Sequence, residues 1–99
     1  MSEHFASGNW KVKSGRETEF IERWTEFLQW TRKTQPGLVS ASLIRDSQDA
    51  AHFVSLAEWV DAGARDAWKS SNEFGGLFEA CRALCADFYG GDYDRVVVI

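Results

Sequence analysis

The sequence predicts a single α+β domain over residues 1–99, in the order βαββααβ, with four strands in one antiparallel sheet. Three observations predict it. Apolar residues recur at helical spacing between 20 and 31, behind a strand-like opening. Two strand-like runs, 38–46 and 51–59, are separated by only a short polar loop. A second block of helical spacing follows residue 61 and ends in paired glycines ahead of a β-branched run.

Residues 4–12 read as the first strand, with His4, Ala6, Gly8 and Trp10 on one face by alternation. Ser14-Gly15-Arg16-Glu17 matches the S-x-x-E capping box, a helix-start signal. Phe20, Ile21, Trp24, Phe27, Leu28 and Thr31 then fall on one stripe, at about 100° per residue, with Trp30 at its edge. Pro36-Gly37 ends that region and turns the chain. Ser47-Gln48-Asp49 joins the next two strands as a hairpin, with Arg45 and Asp46 placed for an ion pair at its end. Asp61 is suited to N-cap a short helix carrying Ala64, Ala67 and Trp68, which Ser70-Ser71-Asn72 interrupts. Phe74, Leu77, Phe78, Cys81, Leu84, Cys85 and Phe88 form a second stripe, stopped by Gly90-Gly91, and 92–99 supplies the last strand. The order is ferredoxin-like.

Composition narrows the function classes. A chain of this length buries only about 60–65% of the surface it exposes when unfolded, so a monomer has little stability to spare. Five Trp and seven Phe enrich such a core, and side chains of this kind also line flat apolar pockets. The net charge of −4 argues against nucleic acid as a partner. The basic residues Lys11, Lys13, Arg16, Arg32 and Lys33 alternate with Glu17, Glu19, Glu22 and Glu26, as on solvated helix faces. The opening Met1-Ser2-Glu3-His4 has neither a basic nor an apolar leader segment, and no apolar run approaches the ~18–20 residues of a membrane helix, so the expected location is cytoplasmic. Cys81 and Cys85, four apart, are expected to be buried, reduced thiols. Helical spacing suits no disulfide, and a zinc site would need two further ligands.

The strand faces bear on assembly. Phe53, Ser55, Ala57 and Trp59 share one face of the third strand, and His52, Val54, Leu56 and Glu58 the other. On the second strand Val39, Ala41 and Leu43 oppose Leu38, Ser40, Ser42 and Ile44. Neither side is uniformly polar, whereas a sheet with one wet face alternates cleanly. Helices can cover one face, and a second copy of the sheet is the simplest cover for the other, giving a homodimer. A monomer with a mildly apolar open face is the alternative. His52, opposite Ser55, belongs to that outer side as an interface or surface residue.

Several strings resemble the antibiotic biosynthesis monooxygenase family, small dimeric α/β-barrel proteins. They are Val12-Lys13-Ser14-Gly15-Arg16-Glu17-Thr18-Glu19-Phe20, Pro36-Gly37, Leu43-Ile44-Arg45-Asp46, Phe53-Val54-Ser55-Leu56-Ala57-Glu58-Trp59 and Ala67-Trp68-Lys69-Ser70-Ser71-Asn72-Glu73-Phe74. The resemblance implies a ligand between helices and sheet, and chemistry that needs no cofactor. An electron-rich phenol, once deprotonated, itself reduces oxygen, while the protein supplies an apolar pocket, orientation and a polar group for the phenolate. A small aromatic molecule is the implied partner. The family's haem-degrading branch would place an iron-ligating histidine where this chain has Phe78, and an asparagine where it has Gly8 (Asn9 is adjacent), although Trp68 matches that branch's tryptophan. No haem, metal or other cofactor is therefore expected. Its polyketide-oxidising branch would pair an asparagine with a tryptophan four residues on. Trp59 fills the second position and Ser55 the first, and a later tyrosine is replaced near Arg65.

The resulting candidate catalytic residues are Ser55, Trp59 and Trp68, and the candidate substrate-binding residues Gly8, Trp10, Trp24 and Phe78. Small residues Ala6, Gly8, Ser55 and Ala57 beneath the helices leave a cavity roofed by Trp24, Trp68 and Phe78, or else make room for bulky tryptophans in a solid core. The function implied is oxidation of a small phenol, quinol or polyketide-like aromatic by molecular oxygen. The alternative is a non-catalytic domain of the same fold that holds a small hydrophobic ligand or serves assembly.

Overall fold

The computed structural model describes residues 3–99, so Met1 and Ser2 of the opening segment lie outside it. The elements follow in the predicted order: β1 (His4–Val12), α1 (Glu17–Thr34), β2 (Leu38–Arg45), β3 (His52–Trp59), α2 (Ala62–Lys69), α3 (Phe74–Arg82) and β4 (Cys85–Asp94). The strands form one antiparallel sheet in the spatial order β2-β3-β1-β4. This is the ferredoxin-like α+β fold. Among the described residues no helix is long and apolar enough to cross a membrane.

Alternation sorts the central strands as predicted. Trp10 and Val12 of β1, and Phe53, Ser55, Ala57 and Trp59 of β3, are buried on the helix side. From α1, Phe20, Trp24, Phe27 and Thr31 close down on them. The core is a continuous stack of rings. Trp10 lies 5.5 Å from Phe20, 6.1 Å from Trp24 and 4.2 Å from Phe88 between ring centroids, and Trp59 lies 5.0 Å from Trp68. Such aromatic pairs contribute about 0.5–1.5 kcal/mol each beyond the area they bury.

Five local expectations are corrected. The second apolar stripe is not one helix: α3 ends at Arg82, and Cys85 and Phe88 belong to β4. Lys11 pairs with Asp87 and Val12 with Cys85, which leaves Ala86 as an extra residue in β4. That bulge turns Cys85 and Phe88, three apart, to the same face and so imitates helical spacing. Gly90 and Gly91 sit inside this strand, and residues 95–99 carry no strand. The capping box does not form: Arg16 is the N-cap without a side-chain bond, because Gly15 (φ +84°) turns the chain between Ser14 and the helix. A shift in register at the start of β2 buries Leu38 and exposes Val39. Asp46 accepts from His52 Nδ1 at 3.1 Å instead of pairing with Arg45, whose guanidinium lies over the Phe53 ring.

The hairpin loop is tied down by its carboxylates. Lys11 Nζ donates to Asp49 at 2.5 Å, and the Gln48 N–H donates to Asp46 at 2.8 Å. The Gln48 N–H and His52 hold Asp46 below the usual carboxylate range, and Lys11 and the Ala51 N–H do the same for Asp49. Their stabilisation is therefore complete at neutral pH and is lost as acid protonates them. Asp61 caps α2 as predicted, accepting from the Ala64 N–H at 2.8 Å. Cys81 and Cys85 are free and buried. Burial pushes their thiols up to about 12 and about 11, so both stay protonated and unreactive at neutral pH.

The turn before β2 also fixes α2. The Val60 N–H donates to Gly37 O at 2.9 Å, and a side chain on Gly37 would place its Cβ 2.5 Å from the Ala64 Cβ. A methyl on a helix backbone cannot swing aside. Gly37→Ala is expected to destabilise the protein by about 1–3 kcal/mol through overpacking. Ala64→Gly in the same chain should recover part of that loss, less the ~1 kcal/mol helix cost of glycine. Urea unfolding of both variants reads the difference, and a neutral Gly37→Ala would show that α2 is free to shift.

Candidate functional site

Between the helices and the sheet lies a cavity of about 320 Å³. Its floor is β1 and β3, where Ala6, Gly8, Ser55 and Ala57 are small; its walls are rings of Trp10, Trp24, Phe27, Trp68, Phe74, Phe78 and Phe88. The small-residue stripe therefore frames a cavity, and the alternative of a solid core does not hold. A dry cavity of ~150 Å³ takes a benzene. Twice that volume admits a flat molecule of two or three fused rings.

The floor is held open by one close approach. A Cβ on Gly8 would lie 2.9 Å from both Phe88 Cε1 and Trp10 Nε1, and 3.1 Å from Ser55 Oγ. With none there, the Trp10 indole N–H donates to Ser55 Oγ at 3.0 Å. Ser55 is buried, and a hydroxyl that accepts one bond keeps its own proton to donate. On the opposite wall the Trp68 N–H donates to Thr31 Oγ1 at 3.0 Å, and Thr31 in turn donates to Phe27 O at 2.8 Å. Two tryptophans of the lining are thereby fixed in orientation by buried hydrogen bonds. The Trp24 indole nitrogen is buried beside them without a hydrogen-bond partner.

The sequence-derived candidates do not all converge. Gly8, Trp10, Trp24, Ser55, Trp68 and Phe78 line the cavity. Trp59 does not: it is fully buried and packs, tilted, against Trp68. Phe78 presents an apolar ring, stacked on Phe74 and near Trp10, at the position the haem-degrading branch gives to histidine. His52 lies on the outer face, with Nε2 2.9 Å from Asn9 Oδ1. Among the described residues there is no group of three His, Cys, Asp or Glu side chains able to hold a metal ion.

Sequence reasoning missed the polar rim. Lys69 and Asp92 line the cavity at its edge and form an ion pair. Asp92 opposes Ala6 across the β1–β4 ladder, so it shares the inward face of Gly8 and Gly90. That parity was readable only once β4 was placed at Cys85–Asp94. Lys69 ends α2 directly after Trp68. Arg65 backs the pair, with Nε 3.7 Å from Asp92 Oδ1 and Nη1 donating to Phe5 O at 3.2 Å.

The Trp10–Ser55 bond generates a direct test. Ser55→Ala leaves a buried indole N–H unpaired and should cost about 1–3 kcal/mol in urea unfolding. Ser55→Ala combined with Trp10→Phe should cost less than the sum of the single changes, since both lose the same bond. Strict additivity would mean that the two side chains are not coupled.

No functionally curated protein matches the chain. Its fold matches SnoaB, a cofactor-independent oxygenase from Streptomyces nogalater, with a TM-score of 0.89 at 22% identity, covering 100% of this chain and 98% of that chain. It also matches a conserved protein from Methanosarcina mazei, with a TM-score of 0.84 at 18% identity over 94% of this chain and 92% of that chain. A crystal structure described as an antibiotic biosynthesis monooxygenase matches with a TM-score of 0.79 at 22% identity, covering 97% of this chain and 99% of that one. At these identities the likeness is one of fold. The family model for antibiotic biosynthesis monooxygenase matches residues 4–80, and the chain belongs to that family.

Proposed function

We propose that this protein oxidises a small, flat, electron-rich aromatic (a phenol, quinol or polyketide-like molecule) with molecular oxygen, without a cofactor, in the cavity between helices and sheet. The observation that carries this reading is the cavity itself: a ring-lined slot whose floor offers one oriented hydroxyl, Ser55, and whose rim carries one ion pair. The fold shared with SnoaB supports it. The aromatic walls hold the ring plane and exclude water, which strengthens every polar contact made inside.

The reaction needs little from the protein. Loss of the phenolic proton leaves a phenolate, which gives one electron to O2. The resulting radical and superoxide combine at a ring carbon, a proton completes a hydroperoxide, and loss of water leaves the carbonyl. The overall change is one O2 consumed, one oxygen atom inserted and one water released. Trp68, locked by Thr31, and Trp10, locked by Ser55, orient the substrate. The Ser55 hydroxyl donates to an oxygen of the bound ring.

A second reading, passive binding of a hydrophobic ligand, is favoured by one observation: the cavity walls are aromatic rings, none of which can take a proton. Oxygen uptake on a panel of anthrones, naphthols and hydroquinones, against heat-denatured protein, separates the two. Enzyme-dependent uptake is expected, and Trp68→Ala should weaken binding while also costing about 3–5 kcal/mol of stability. Tight binding of these compounds by tryptophan fluorescence with no uptake would establish the passive reading instead.

We further propose that the outer sheet face pairs with a second copy. Ile44, Val54, Asn9 and Tyr89 form one row across that face, and Ser42, Leu56, Ser7 and Gly91 the next. Ile44, Leu56, Tyr89 and Tyr93 are exposed there. Such a contact should bury about 1,200–2,000 Å² in total. Leu56→Asp is expected to shift sedimentation equilibrium toward monomer with helix content unchanged. A wild-type protein that is monomeric at micromolar concentration would refute the pairing.

A further inference from the structure

We propose that the Lys69–Asp92 ion pair at the cavity rim is the acid–base device of the site: Asp92 accepts the phenolic proton, and Lys69 becomes the counter-ion of the phenolate. The inference rests on the reading of the cavity as a place of aromatic oxidation, and it assigns the one step the walls cannot perform. Trp, Phe, Ala and Gly side chains take no proton, and the Ser55 hydroxyl is too weak a base to hold one. Among the described residues lining the cavity, Lys69 and Asp92 alone are ionisable.

The pairing suits the task because the step conserves charge at the rim. Before transfer, the Lys69 ammonium faces the Asp92 carboxylate. The substrate's O–H bond breaks, its proton goes to the carboxylate, and its oxygen keeps the electron pair. Asp92 is then neutral and the phenolate oxygen replaces it opposite Lys69, so no unpaired charge appears beside an apolar cavity. When the peroxide forms, the same carboxylic acid can return the proton.

The fold holds the pair in position from both sides. Lys69 follows Trp68 at the end of α2, so the residue after a cavity wall supplies the rim cation. Asp92 is fixed in the β1–β4 ladder opposite Ala6 and is flanked by Arg65, whose side chain is only 12% exposed. Arg65 adds a second cation beside the carboxylate: its guanidinium is anchored on Phe5 O, with Nε 3.7 Å from Asp92 Oδ1.

The arrangement also defines the ligand. Asp92 and Ser55 lie on strands two spacings apart with β1 between them, about 10 Å, and two residues apart along the strand direction, about 7 Å. Polar atoms thus stand at opposite ends of an aromatic slot. The substrate that matches is a two- or three-ring fused aromatic with oxygen at both ends, the ionising hydroxyl at the rim and the other oxygen at Ser55.

The test uses 4-nitro-1-naphthol, a two-ring phenol that is coloured as its phenolate and is a poor electron donor, so ionisation is read without turnover. Its apparent pKa when bound is measured by absorbance in wild type, Lys69→Met, Lys69→Arg and Asp92→Asn. Both side chains are more than a third exposed, and thermal melts check that the variants fold. Relative to wild type, Lys69→Met should raise the bound probe's pKa by about one unit, a tenfold weaker hold on the phenolate, and Lys69→Arg should largely restore it. Asp92→Asn should lower it, because Lys69 loses its competing counter-ion, and yet should slow oxygen uptake on an oxidisable naphthol at least tenfold. A merely structural role would not move the two variants in opposite directions. An unchanged bound pKa in Lys69→Met, or undiminished uptake in Asp92→Asn, overturns the inference while leaving the oxygenase reading intact. Opposite pKa shifts with no uptake on any substrate uphold the phenolate site but overturn the oxygenase reading. Failure of wild type to bind the probe overturns the inference, and the oxygenase reading then rests on oxygen uptake alone.

Discussion

The indole of Trp10 lies across the sheet where Gly8 carries no side chain, and its N–H reaches the Ser55 hydroxyl at 3.0 Å. Much of the helix-facing layer follows from that contact. Gly8 pairs with Ser55 on β3 and with Gly90 on β4, so three neighbouring strands present almost no side-chain volume along one row. Phe88 lies over both glycines: a Cβ on Gly90 would meet its Cζ at 2.5 Å, and one on Gly8 would meet its Cε1 at 2.9 Å. The rings of Trp10 and Phe88 thus occupy the space that side chains at Gly8 and Gly90 would fill. The space that remains between them is the cavity.

How far the sequence revealed this depended on the kind of signal. Alternation along β1 and β3 and the α1 stripe were legible because burial on one face imposes strict periods of 2 and 3.6. The end of α3 was not, since the bulge at Ala86 gives β4 the three-residue spacing of a helix. That one misplacement hid the rim as well: with β4 started at residue 92, Asp92 has no register against Ala6. The glycines at 90 and 91 read as a helix stop because composition records a missing side chain but not what occupies its place. Trp59 and Trp68 looked equivalent in sequence. Only packing separates them, with Trp59 fully buried behind the ring that faces the cavity.

The two faces of the sheet carry different chemistry on one scaffold. On the helix side the polar groups are few and oriented: Ser55, Thr31, and the ion pair at the edge. On the outer side the polar groups are numerous and mutually engaged, as where His52 bridges Asp46 and Asn9. A histidine whose two ring nitrogens both have partners is poorly placed to serve a ligand behind the sheet. Ile44, Val54 and Leu56 lie on the same outer face.

Walls that are also core impose a limit on what such a site can change. Trp10, Trp24, Phe27 and Trp68 are at most 5% exposed, and together they form much of the apolar interior of a 99-residue chain. Removing any one trades several kcal/mol of stability for space, against a total of roughly 5–15 kcal/mol. The shape of the slot is therefore tied to the survival of the fold. Lys69 and Asp92 are free of that constraint: they are 38% and 39% exposed, and an exposed pair contributes only ~0–1 kcal/mol to folding. Chemistry placed at the rim can be altered without disturbing the stack that shapes the cavity. That separation lets a domain with so small a core keep a void of about 320 Å³ and still present it to a ligand.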